Sequence, residues 1–245
     1  MELFITFLVG LFFLIGMVVV KLSKNRKMVE NLSISIALGT MTALVLFDLV
    51  PEVKEHMEGV SIWLIILFVI IGIAILKILD IFIPEHDDGD LREDEKDENL
   101  VHIGIVSLIA VALHNLIEGM ATYSILTEDF RSGLLVAIGV GLHNIPMGMI
   151  LTSTLQKENK GKRIIALIIA TFSTFVGGLI MMLIKSYISD FVVGALISIT
   201  LGMIIYIAFL ELLPHVLHNK KDWKQSVIGI IIGFAICLLS TLIGG

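Results

Sequence analysis

Apolar residues along this chain fall into long unbroken blocks rather than alternating with polar ones, and polar residues cluster between the blocks. Each block is about 20 residues, the length a helix needs to cross a bilayer's hydrocarbon. The pattern predicts eight spans, near 2–20, 32–50, 61–83, 101–123, 133–155, 164–185, 191–214 and 226–243. Spanning strands are shorter and alternate in polarity, which these blocks do not. The expected fold class is all-α, a polytopic membrane helix bundle forming a single transmembrane domain over 1–245, with the lipid bilayer as its surroundings.

Composition sharpens this. Hydrophobic residues make up 57% and charged residues 16%, against roughly 25% charged in a soluble domain. The first block lacks the basic start of a cleaved signal peptide, having Glu2 instead. A single cysteine, Cys237, excludes a disulfide framework, and no basic patch suggests nucleic acid. Lys and Arg number thirteen in the loops after spans 1, 3, 5 and 7, against three on the other side. Positive residues mark cytoplasmic loops, so both termini are expected outside the cell membrane.

The spans group as three, two and three around an acidic connection at about 84–100. That stretch reads as a solvated linker, while His86 beside Asp87 and Asp88 leaves a regulatory metal-binding role open. Internal matches are more informative. Span 2 ends Gly39…Asp48-Leu49-Val50-Pro51 and span 7 ends Gly202…Glu211-Leu212-Leu213-Pro214. Span 4 carries His114-Asn115-Leu116-Ile117-Glu118-Gly119, and span 5 carries His143-Asn144-Ile145-Pro146-Met147-Gly148. Matching motifs on oppositely directed helices are what inverted-repeat transporters show, with the substrate site between the repeats.

Ionisable groups inside a membrane are costly and need partners. His114 and Glu118 are four apart and share a helix face, as do His143 and Met147. Imidazole and carboxylate together suit zinc and its first-row neighbours. A lone histidine or asparagine in a membrane helix is ordinarily interhelical glue, but glue does not require the same pair twice. Met147 alone reads first as packing, and Asp48 and Glu211 read equally as interfacial anchors or gates. Pro146 removes the bond to the Leu142 carbonyl and allows a bend, and Gly119 and Gly148 permit close helix approach.

These residues resemble the ZIP family of zinc- and iron-regulated transporter-like proteins, whose bacterial members carry His-Asn-x-Pro-Glu-Gly in both spans. The resemblance implies a 3+2+3 inverted-repeat fold that works by alternating access. It implies a principal metal site from His114, Glu118 and His143 completed at position 147, and an adjacent site using Asn115, Asn144 and a span 6 glutamate. The implied substrate is an imported divalent ion: zinc first, then iron, cadmium or manganese. Three departures stand out: Met147 replaces a glutamate, Ile117 replaces a proline, and span 6 has no carboxylate, Thr174 standing near that place. One mononuclear site is therefore expected, softer than the family's usual one. The ion's expected route runs from Asp48 and Glu52, through the central site, to Glu211 and His215, and on to His218 and the acidic loop. A metal sensor, a carrier of another cation and an intramembrane metallohydrolase are the competing classes. The hydrolase lacks the usual His-Glu-x-x-His pattern. Apolar faces suffice for a homodimer.

Overall fold

The structure is a computed structural model that describes residues 1–82, 93–185, 187, 189–218 and 222–244. Its described residues are mostly helical, with no strand among them. Lipid offers backbone groups no partners, so each span satisfies its own N–H and C=O groups along the helix.

Span 1 is α1 (Glu2–Leu22). Span 2 is one continuous rod, in which α2 (Arg26–Leu44) passes through a π-helical turn, Val45–Leu49, into α3 (Val50–His56). A tight turn at Gly59, whose φ of 76° favours glycine, leads into span 3, α4 (Ile62–Phe82). Spans 4, 5 and 6 are α5 (Glu93–Glu128), α6 (Phe130–Thr154) and α7 (Lys160–Ile184). Span 7 repeats the plan of span 2: α8 (Asp190–Tyr206), a π-helical turn over Ile207–Leu212, then α9 (Leu213–His218). Span 8 is α10 (Trp223–Gly244). Seven of these rods are long and apolar enough to cross a membrane, and the eighth, span 3, is apolar over Ile62–Ile78. The chain is a multi-pass membrane protein.

One expectation needs adjusting. Helix α5 begins at Glu93, so the acidic connection expected to reach residue 100 is already helical over its last residues. Hydropathy registers the bilayer, and a helix that continues past the hydrocarbon into water goes unseen by it. His86, Asp87 and Asp88 lie outside the described residues. The helix of span 5 runs through Pro146, whose missing N–H leaves it free to bend there.

Caps fix where several rods start. Asn25, Asp129, Asn159 and Ser189 each accept a bond from a backbone N–H in the first turn of the following helix. At Asp129 the carboxylate accepts from Arg131 N (3.1 Å) and from the Ser132 hydroxyl (2.6 Å). Those bonds, the Ser132 one foremost, hold its pKa below the ordinary 3.8.

Glycine pairs knit the rods together. A Cβ at Gly16 would strike the Ile145 carbonyl, and one at Gly148 the Phe13 carbonyl, locking spans 1 and 5. Gly119 and Gly177 do the same for spans 4 and 6, against Thr174 and Leu116. Gly39 and Gly233 join spans 2 and 8, and Gly72 and Gly202 join spans 3 and 7. Such backbone-on-backbone contact substitutes for the hydrophobic drive that lipid removes. The four interfaces obey one rule: exchanging spans 1, 2, 3 and 4 for 6, 7, 8 and 5 turns each pair into another of the set.

Candidate metal centre

Spans 4 and 5 are joined by the single residue Asp129 and so run antiparallel side by side. His114 lies 14 residues before Glu128, and His143 lies 13 residues after Phe130. At 1.5 Å per residue, both stand about 20 Å from the turn and therefore at the same depth. Glu118, one helical turn from His114, faces both.

The three side chains converge. His143 Nε2 lies 2.7 Å from Glu118 Oε1, and His114 Nε2 lies 3.7 Å from the same oxygen. The two imidazole rings are 6.0 Å apart, centre to centre. One ligand atom from each residue falls within 4.8 Å of the others. Tetrahedral zinc holds nitrogen and oxygen at about 2.0–2.2 Å, so small side-chain shifts would seat all three on one ion. His114 and His143 are buried, and the Glu118 side chain is only 9% exposed. At 2.7 Å the His143 nitrogen and the Glu118 carboxylate oxygen are in ion-pair distance.

Around this cluster lie buried polar atoms with no hydrogen-bond partner among the described residues. They include Glu118 Oε2, Asn115 Oδ1, both polar atoms of Asn144, and the hydroxyls of Thr171 and Thr174. Buried polar groups are ordinarily satisfied, so this concentration marks a place built for water or an ion. Asn115 Nδ2 donates to the Ala170 carbonyl at 3.3 Å, tying span 4 to span 6. Thr174 packs its backbone against Gly119, beside Glu118, and no described residue of span 6 offers a carboxylate there. Met147 is fully buried within the apolar core that includes Phe13, Ile150 and Leu151.

Of the four pathway residues, Asp48 is half-buried and sits in the π-helical turn of span 2. It interacts electrostatically with Glu118 and His143, and Glu52, one turn further on, with Asp48 and Glu118. Glu211 occupies the matching π-helical turn of span 7 and is buried. Both turns have one origin. Pro51 and Pro214 supply no N–H, and their rings crowd the carbonyl four residues back. The residue before each reaches five back instead, Val50 to the Val45 carbonyl and Leu213 to the Ala208 carbonyl. His215 and Glu52 are half-exposed at their respective ends, and His218 is exposed with its Nδ1 2.8 Å from the Pro214 carbonyl.

Two polar residues of the site's surroundings escaped the sequence reading. His102, 12 residues before His114 on span 4, is buried with its Nε2 3.8 Å from Glu211 Oε2. It belongs to no local motif, and only the folded contact with span 7 reveals it. Ser240 of span 8 is buried, 3.3 Å from His143 Nδ1, in a contact that spans 97 residues of sequence.

A bundle of apolar helices around one buried His-Glu-His cluster is the form of a membrane transporter for metal cations. The sequence profile of the ZIP zinc transporter family matches residues 83–241, well over half the chain, and the protein belongs to that family. A zinc transporter ZupT of Clostridium perfringens is 28% identical, with 90% of this chain and 87% of the relative aligned. The ZupT of Streptococcus mutans is 28% identical over 98% of this chain and 96% of its own length. That of Chlorobium luteolum is 28% identical over 86% and 85%. The chain is a transporter and not a hydrolase.

Proposed function

We propose that the protein imports divalent metal ions, zinc foremost, through a site formed by His114, Glu118 and His143. The observation that carries this reading is the convergence of those three side chains inside the membrane, far from any solvent that would otherwise stabilise them. Met147 supplies a fourth, soft ligand, and Asn115 and Asn144 hold water or the ion alongside. A thioether in place of a second carboxylate ranks zinc above manganese, with iron between them, and leaves the softer cadmium able to compete.

The ion enters by way of Glu52 and Asp48, whose charges act on the central site. It leaves past the His102–Glu211 pair, about 18 Å further along span 4 at 1.5 Å per residue, and then past His215. The excess of positive residues in the odd-numbered loops supports an orientation with both termini outside the cell membrane. The glycine interfaces and the paired π-helical turns support a 3+2+3 inverted repeat in one domain, with alternating access between its parts. A second copy of the chain would dock through its exposed apolar faces as a homodimer. Neutral imidazoles bind metal, so binding releases protons and weakens below about pH 6.

Uptake of radioactive zinc into proteoliposomes tests the reading. Saturable uptake by the wild type and its loss in His114→Ala is the expected result. Zinc bound by the wild type without any uptake would make the protein a sensor, and uptake that survives His114→Ala would dismiss this site.

A further inference from the structure

Nothing in the span 4 and 5 motifs explains how His143 comes to offer Nε2, rather than Nδ1, to Glu118 and the ion. A neutral imidazole has one nitrogen that donates and one that accepts, and the partner of the first decides which is which. The partner here is Ser240 of span 8. Its hydroxyl oxygen is 2.6 Å from the Gly139 carbonyl and 3.3 Å from His143 Nδ1. Serine has one proton to give. A carbonyl only accepts, so the 2.6 Å contact claims that proton for Gly139. The Ser240 oxygen then has lone pairs left for His143, and Nδ1 must be the donor.

We propose that Ser240 is a positioning residue of the metal site: held by the Gly139 carbonyl, it accepts from His143 Nδ1–H and so turns the Nε2 lone pair to the ion. The proposal deepens the site assigned above and rests on that reading for its metal arm. Gly139 is part of the device. A Cβ there would meet both the Ser240 carbonyl and its hydroxyl, so only glycine lets span 8 come close enough for the relay.

Nitrogen NMR on protein labelled at its histidines, with the His143 signal assigned by its disappearance in His143→Gln, reads the protonation of each ring nitrogen directly. In metal-free wild type and in Ser240→Thr, Nδ1 carries a proton. In Ser240→Ala it loses that fixed proton, and zinc affinity measured by equilibrium dialysis falls on the order of 10-fold or more, as for other orienting partners of metal-bound histidines. Ser240→Thr keeps affinity within about threefold of wild type. Unchanged Nδ1 protonation in Ser240→Ala overturns the proposal, whatever happens to affinity. So does a changed Nδ1 with unchanged zinc binding. Wild type that binds no zinc would defeat the assigned function, while the nitrogen signals of the metal-free protein would still decide the relay. If Ser240→Ala does not fold, Ser240→Cys, with a thiol that accepts only weakly, is judged by the same two readouts.

Discussion

Spans 4 and 5 carry the same motif on the same scaffold, yet they are not equivalent parts of the site. Each presents a His-Asn pair, and each is locked to its neighbour by a glycine five residues after the histidine, Gly119 against span 6 and Gly148 against span 1. One turn after the histidine, however, span 4 has Glu118 in contact with both imidazoles, whereas span 5 has Met147 buried in the core. Span 5 has in compensation the outside support of Ser240. The glycine contacts match because such an approach tolerates no side chain. The proposed ligands differ between the helices, since an ion asks only for enough donors in total, from whichever helix.

The comparison predicts unequal losses from matched substitutions. Glu118→Gln removes the one carboxylate that touches both histidines, and zinc uptake should fall on the order of 100-fold; Met147→Leu, close in volume, should cost uptake less than about tenfold. Equal losses would mean the two helices contribute alike. At the scaffold level the order should vanish. Gly119→Val and Gly148→Val each force a packed helix pair apart, and each should lower stability by about 1–3 kcal/mol in detergent melts. A large difference between those two would break the symmetry of the scaffold itself. The smallest effect belongs to the turn between the motifs. Asp129→Ala removes the cap of span 5 and should slightly lower the melting temperature at neutral pH. Because the Asp129 pKa is lowered in the folded protein, its contribution is complete above the ordinary carboxyl range. It is lost as pH falls through the folded value, so mutant and wild type should converge only well below the ordinary 3.8.

Much of this was legible in the sequence, for reasons that also mark where legibility ends. Lipid imposes block length, so the eight spans announced themselves, and helical spacing put His114 and Glu118 on one face before any fold was known. The equal distances of His114 and His143 from Asp129 follow from chain arithmetic. The length of α5 did not, since its first turns lie beyond the hydrocarbon that hydropathy detects. His102 and Ser240 stayed hidden because each meets a helix distant in sequence, Glu211 for one and His143 for the other. The match of Gly39-Asp48-Pro51 with Gly202-Glu211-Pro214 was plain as letters, but its meaning as two π-helical turns lay in which carbonyl each preceding N–H chose.

Those turns give spans 2 and 7 an unusual mechanical property. A π turn is an α-helix with one residue too many, and the surplus residue is a dislocation in an otherwise regular lattice. When a dislocation glides by one position, the lattice on either side is unchanged and the number of bonds is conserved. Side chains it passes swing by about 100° around the axis, the step between neighbours at 3.6 residues per turn. Asp48 and Glu211 each sit inside such a dislocation, held in place by the proline that creates it. Each carboxylate thus stands at a fixed fault in its helix, turned from the direction a regular lattice would give it.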